Sequence, residues 1–316
     1  MTAPRLVHMG GAVVDYVYRI ASLPTLGGEA VADAFDRLPG GGFNMMVAAA
    51  RAGMTVAYGG GHGAGDHGDR LRTALREAGI EILQPINPEI DSGCCTVMVT
   101  DDAERSFVSW SGAEGVLCAE VLSALQAGRA DWIFLSGYTL AYAKSRDALS
   151  GWIETLPATA PVLFDPSPLV RQIPTDLLTS LLRRVTWVSC AAAEAAAIAG
   201  SGEAVRQAER LLERHCPAAA GVVLRDGSAG CVLKLRGQPA LRVPGFPVRA
   251  VDTNGAGDVH VGAFVAALSR GVAPLDAVRY ANAAAAIAVT RHGGSNAPHD
   301  DEIRAFLSEA RREASV

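Results

Sequence analysis

Nowhere in the 316 residues is there an apolar run of about 18 residues, the length a membrane-spanning helix needs. The first residues, MTAPRLVHMGGAVVDY, have no basic stretch followed by a long apolar one, so no secretory signal is expected. Basic residues are scattered and the net charge is −5, which excludes an electrostatic footprint for nucleic acid; no membrane partner is expected either. No C-x-x-C spacing joins Cys94, Cys95, Cys118, Cys190, Cys216 and Cys231. With 49% hydrophobic residues, a chain this long builds its core without disulfides. The cysteines therefore read as reduced thiols, and a cytoplasmic location is expected. His62 and His67 flank Asp66 but lack the Cys or His partners of a zinc site.

What is present is a strand–loop–helix rhythm. Apolar strands are predicted at residues 5–9, 55–59, 132–136, 162–165, 187–189, 221–224 and 231–235. Helices are predicted at 44–52 and 66–78, closed by Gly53 and Gly79. Doubly buried strands separated by helices predict a mainly parallel α/β sheet. Residues 13–35 and 92–115 break the rhythm with alternating patterns such as TVMVTDDAERSFVSW. They predict a small β-sheet lid over the C-terminal edge of the main sheet, leaving 1–12, 36–91 and 116–316 as the core. Glu104 and Arg105, just after the lid turn, read as a solvated pair. The lid's open edge predicts pairing with a second subunit, a homodimer.

The stretch VDTNGAGDVHVGAF, residues 251–264, carries the chemistry. Asp252, Thr253 and Asn254 are turn and cap residues. Gly255, Ala256 and Gly257 then offer backbone N–H groups with almost no side chain, just where an apolar-faced helix begins. Free N–H groups and the helix dipole make an anion site there. Asp258 sits in the first turn, where the dipole is expected to keep it ionised. A carboxylate beside an anion site suits proton abstraction from a hydroxyl that attacks phosphorus. On these residues alone, a plain first-turn acid after a tight turn is an equal reading.

The same stretch resembles the DTxGAGD signature of the ribokinase-like (PfkB-type) carbohydrate kinases. YANAAAAIAVTRHGG, residues 280–294, resembles their adenine-side helix and loop. GGAVVD, residues 10–15, resembles a strand ending in a sugar-binding Asp, and PGGGFNMMVAAARAG, residues 39–53, resembles the GGxxxN helix entry. The resemblance covers nearly the whole chain. It implies a Rossmann-like, mainly parallel sheet with helices on both faces plus a β-lid. It implies transfer of the γ-phosphate of ATP, with Mg²⁺, to a primary hydroxyl of a small sugar or nucleoside. Carried over, Gly255, Ala256 and Gly257 form the anion hole and Asp258 is the base. Asp15, Gly40, Gly41 and Asn44 hold substrate, since a carboxylate and an amide together suit vicinal hydroxyls. Arg225, Gly227 and Gly230 form a nucleotide loop, with Asn254 and Asn282 also on the cofactor side. Glu194 acts on Mg²⁺ through water, and Asp252 helps seat a monovalent cation such as K⁺.

Three positions depart from the family pattern: Pro39 replaces a glycine, Val13 stands where ribokinases have Asn, and Ala191 replaces the Asn of an NxxE element. The glycine run at 59–66 reads as a structural strand-to-helix loop, because no acidic residue follows at dinucleotide-binding distance. Tyr138, at a strand end, is a substrate candidate as well as a packed aromatic. Asp165 either touches the Mg²⁺ water shell or caps a turn. A nucleoside kinase is the rival reading, marked by an aromatic base site built from Phe43, Phe107, Trp110 and Tyr138. A sugar-binding protein without catalysis is the reading from another class; Ala191 favours it and the intact Asp258 opposes it.

Overall fold

The computed structural model describes residues 4–102, 104–128 and 130–313. Residues 1–3, 103, 129 and 314–316, which fall within the predicted core and lid spans, lie outside the described residues. In chain order the strands are β1 (Arg5–His8), β2 (Ala12–Arg19), β3 (Ala34–Gly41), β4 (Thr55–Tyr58), β5 (His62–Gly63), β6 (Glu81–Ile82), β7 (Ile86–Asn87) and β8 (Cys94–Val99). They continue as β9 (Arg105–Trp110), β10 (Trp132–Ser136), β11 (Val162–Asp165), β12 (Trp187–Ala191), β13 (Gly221–Arg225), β14 (Cys231–Leu235) and β15 (Leu241–Val243). The main sheet has the order β15-β14-β13-β12-β11-β10-β1-β4-β6. It is parallel from β6 to β13, whereas β14 and β15 pair antiparallel at one edge.

The period-2 alternation of side chains splits each strand between two cores. Leu6 enters one apolar cluster and Val7 the other; Val223 and Val222 divide the same way. The helices Gly42–Arg51, Ala256–Ser269 and Pro274–Ala288 supply the first cluster, while Arg146–Thr155 and Thr175–Arg184 supply the second. Helices therefore cover both faces, as a sheet of doubly buried strands requires.

From β1 the chain steps outward to β4 and β6, then returns to β10 on the other side of β1. The β1–β10 boundary is thus the switch point of the sheet, and ligands bind outside the carboxyl ends of such strands. Over that edge lies a separate sheet of order β3-β2-β8-β9. Its strand β3 runs to Gly41, six residues past the expected end of the ribbon at residue 35. The alternating pattern ends at residue 35, but pairing to β2 continues through Gly40 and Gly41.

Candidate active site

The helix Ala256–Ser269 begins after Gly255, whose φ of +72° is left-handed; a Cβ there would lie 2.5 Å from the Gly294 carbonyl oxygen. Only glycine fits such a turn without strain. The next N–H groups, of Gly257 and Asp258, have no intrahelical acceptor and face a cleft of about 710 Å³. At Gly257 a Cβ would meet nothing nearer than Arg225 Nε at 3.6 Å, so the first turn is open on that side.

Asp258 is brought to Asn44 by close helix packing. Gly262 lets the helix Ala256–Ser269 lie against Gly42–Arg51, and Asn44 Nδ2 donates to Asp258 Oδ2 at 3.4 Å. Burial pushes the Asp258 carboxyl up to about 7, helped by the charge of Asp165 and opposed by Asn44 and Arg225. This corrects the expectation that the dipole keeps Asp258 an ordinary ionised acid: desolvation outweighs it. Asp15 is likewise pushed up to about 7, by burial and then by Asp258. The Asp15 carboxylate has no protein hydrogen-bond partner among the described residues. Gly40 makes room for it, since a Cβ there would lie 2.0 Å from Asp15 Oδ2.

Gly41, Tyr138, Glu194, Arg225, Asn254, Gly255 and Ala256 also border the cleft. Arg225 is the one cation among the described lining residues. It pairs with Asp165 at 3.0 Å and with Glu194 at 3.6 Å and donates to Ser189 Oγ at 2.7 Å. Glu194 Oε2 accepts the Ala191 N–H at 2.7 Å, and burial raises its pKa, with the Asp165 charge adding to the effect. Asp165 is tied to Arg225 and the Ser167 N–H, whereas Glu194 Oε1 makes no hydrogen bond among the described residues and suits a hard cation held through water; no group of three or more metal-ligating side chains is clustered among the described residues.

Gly40, Gly227, Gly230, Asn282 and Asp252 are not lining residues. Gly227, with a φ of +58°, has open space where a Cβ would stand. Gly230 packs against the Val243 carbonyl, and Asn282 Nδ2 donates to the Val243 and Pro244 carbonyls, so both hold the chain after β15. Asn282 Oδ1 faces His260 Nε2 at 3.1 Å, which leaves its amide occupied inside the protein.

Asp252 Oδ1 accepts from Arg105 at 2.5 Å and from the Asn254 N–H at 2.9 Å; Oδ2 accepts the Gly293 N–H at 3.1 Å. Arg105 also donates to Thr253 Oγ1 at 2.7 Å. Arg105 is therefore a bridge from the small sheet to the turn before the anion site, and the solvated reading is corrected. The residues do not fit a monovalent cation on Asp252, because a guanidinium and two N–H groups already surround the carboxylate.

Sequence reasoning missed His8 and Glu114, both buried lining residues. Glu114 accepts the Gly93 and Gly112 N–H groups, each at 3.0 Å, where β8 begins and the chain leaves β9. The signal was a carboxylate directly after a Ser-Gly-Ala turn. Phe43 is buried outside the cleft, whereas Phe107, Trp110, Tyr138 and Tyr142 line it. His62 and His67 are engaged by Gln84, Tyr16 and Ser92.

Residues 9–301 match the pfkB family of carbohydrate kinases. The chain is 30% identical over 307 residues to an uncharacterized sugar kinase, YegV, of Escherichia coli (strain K12), covering 96% of this chain and 94% of that one. It is similar in structure to ribokinase from Thermotoga maritima, with a TM-score of 0.79 at 25% identity over 98% of this chain and 100% of that one. Arabidopsis thaliana ribokinase, in complex with ribose and ATP, gives a TM-score of 0.75 at 22% identity, covering 97% and 99%.

Proposed function

The chain belongs to the pfkB family of carbohydrate kinases, phosphotransferases with an alcohol group as acceptor, and on that premise we propose how its own residues carry out the transfer. The observation that carries this reading is one cleft holding Asp258, the first-turn N–H groups and Arg225 together with Asp15 and Asn44. ATP with Mg²⁺, when bound, supplies the phosphoryl group and screens its charge. Asp15 and Asn44 hold acceptor hydroxyls. Asp258 takes the proton of the primary hydroxyl; a carboxyl lifted to about 7 is matched to that task near neutral pH. The free N–H groups of Gly257 and Asp258, presented by the Gly255-Ala256 turn, and the Arg225 guanidinium stabilise charge on the phosphoryl oxygens as it develops. Glu194 orders water around the metal, and the loop at Gly227 faces the nucleotide, with Asn254 on the same side and Gly230 and Asn282 fixing the adjoining strand end.

The acceptor is uncharged. Asp15, Glu114, Asp165, Glu194 and Asp258 line the cleft, and its one described cation serves the transferred phosphoryl group. A phosphorylated sugar would meet repulsion without compensation. The aromatic side chains of Phe107, Trp110, Tyr138 and Tyr142 favour a second reading, in which the sugar carries a base that stacks there. We also infer a homodimer through the small sheet. Val108 of β9, exposed to 63% and not among the residues bordering the cleft, presents an apolar surface to a second copy. Light scattering at micromolar concentration decides this; a monomer refutes it.

The test of function is ADP release with D-ribose, D-fructose and inosine as acceptors. Asp258→Asn lowers kcat by roughly 10²–10⁴ and leaves ATP binding intact. Near-normal turnover in that variant refutes the base. Acceptor binding without any ADP release by the wild type points to a binding protein.

A further inference from the structure

His8 ends β1 at the switch point of the sheet, beside Phe134 of β10. The two rings stack with centroids 4.6 Å apart and planes 23° from parallel. The Gly10 N–H donates to His8 Nδ1 at 3.2 Å, so the ring proton resides on Nε2. Burial holds the ring neutral, with a pKa lowered to about 3. His8 is fully buried, borders the cleft, and has no hydrogen-bond partner for Nε2. An orphaned buried N–H is uncommon and costly unless a ligand or water completes it.

Glycines pack against that edge of the ring. A Cβ at Gly42 would lie 2.3 Å from His8 Cε1 and 2.7 Å from Nε2; one at Gly10 would lie 2.7 Å from Cε1. Asn44 Oδ1, on the helix that Gly42 starts, is also buried without a partner. The Asp15 carboxylate makes no protein hydrogen bond among the described residues. Two unused acceptors and one unused donor therefore border a single cleft.

We propose that His8 is a specificity residue whose Nε2–H donates to an oxygen of the acceptor, while Asp15 and Asn44 accept from its hydroxyls. The matching ligand is an uncharged polyol presenting a lone pair at the β1 end of the cleft. This rests on the kinase reading above, and it adds a contact that the signature residues do not include. A rigid buried donor discriminates strongly, because a ligand lacking the oxygen leaves the N–H unpaired.

The experiment compares wild type, His8→Leu and His8→Gln on whichever of D-ribose, D-fructose and inosine the wild type turns over, and on its monodeoxy analogues. Leu keeps volume without a donor; Gln keeps a donor near Nε2. His8→Leu is expected to raise the acceptor KM about 5- to 100-fold, with the KM for ATP unchanged and kcat changed less. His8→Gln recovers part of the loss. One deoxy analogue is penalised in the wild type and not in His8→Leu. An unchanged acceptor KM, or equal penalties in both proteins for every analogue, overturns the proposal. A structural role alone would not select one hydroxyl. Should His8→Leu not fold, ¹⁵N-histidine NMR of the wild type decides: a saturating acceptor shifts the His8 Nε2 resonance, and no shift overturns the proposal. Absence of ADP release from the wild type with every acceptor counts against the kinase reading; a wild type that turns over one of them while His8→Leu is unaffected counts against His8 alone.

Discussion

Gly262→Ala adds a single methyl group more than a turn away from the reacting atoms, yet it is expected to reach them. Its Cβ would lie 2.5 Å from the Met45 carbonyl oxygen, 2.8 Å from Ala48 Cβ and 2.9 Å from Ala49 N. Two of these are backbone atoms of the helix that carries Asn44, and they cannot rotate aside. The helices Gly42–Arg51 and Ala256–Ser269 must then part by about 1 Å to regain van der Waals contact. Overpacking of this kind costs about 1–3 kcal/mol. For a chain of this size that lowers Tm by about 2–5 °C, readable by calorimetry. The same movement stretches the Asn44–Asp258 hydrogen bond, already 3.4 Å long. A misplacement of about 1 Å costs up to roughly 10²-fold in rate. Because the Asn44 amide holds the Asp258 pKa down, its withdrawal moves the acid limb of the kcat/KM profile above about 7. A coupled assay of ADP release across pH reads both effects. Unchanged Tm and kcat would show that Gly262 does not set this spacing; a lower Tm with full activity would uncouple the spacing from the site.

Gly257→Val is expected to abolish turnover while circular dichroism stays native, since a Cβ there meets only Arg225 at 3.6 Å; a folded, active variant moves the phosphate site elsewhere. Asp258 works as the deprotonated base, so wild-type kcat/KM falls as pH drops through about 7. The charge of Asp165 raises Asp258, so Asp165→Asn shifts that limb to lower pH; an unmoved limb refutes the coupling. Arg105→Ala removes the bridge to Asp252 and Thr253, so amide exchange in residues 94–110 rises, and KCl, without effect on the wild type, begins to change the rate. Equal exchange in both proteins rejects the bridge as a tether.

Amino-acid order by itself determined the alternation of buried strands and helices, and hence the mainly parallel sheet. It also located the start of the helix Ala256–Ser269, because a left-handed glycine, free N–H groups and an apolar helical face are properties of neighbouring residues. The ribbons flanking Asp101–Asp102 were legible for the same reason, although the reach of β3 to Gly41 depended on its pairing with β2. What only the tertiary structure decided involves residues remote in the chain. Arg105 meets Asp252 across 147 positions, and Asn44 meets Asp258 across 214. Burial lifts the carboxyls of Asp15 and Asp258, and the Asp258 charge lifts Asp15 further; neither effect exists until the strand β2 and the helix Ala256–Ser269 are packed around one cleft. His8 looks like an interior strand residue in sequence; its free Nε2 becomes visible once Gly10 has claimed Nδ1 and the turn at Gly42 has folded over the ring. Local geometry follows from near neighbours along the chain, whereas desolvation and unpaired polar atoms belong to the assembled environment.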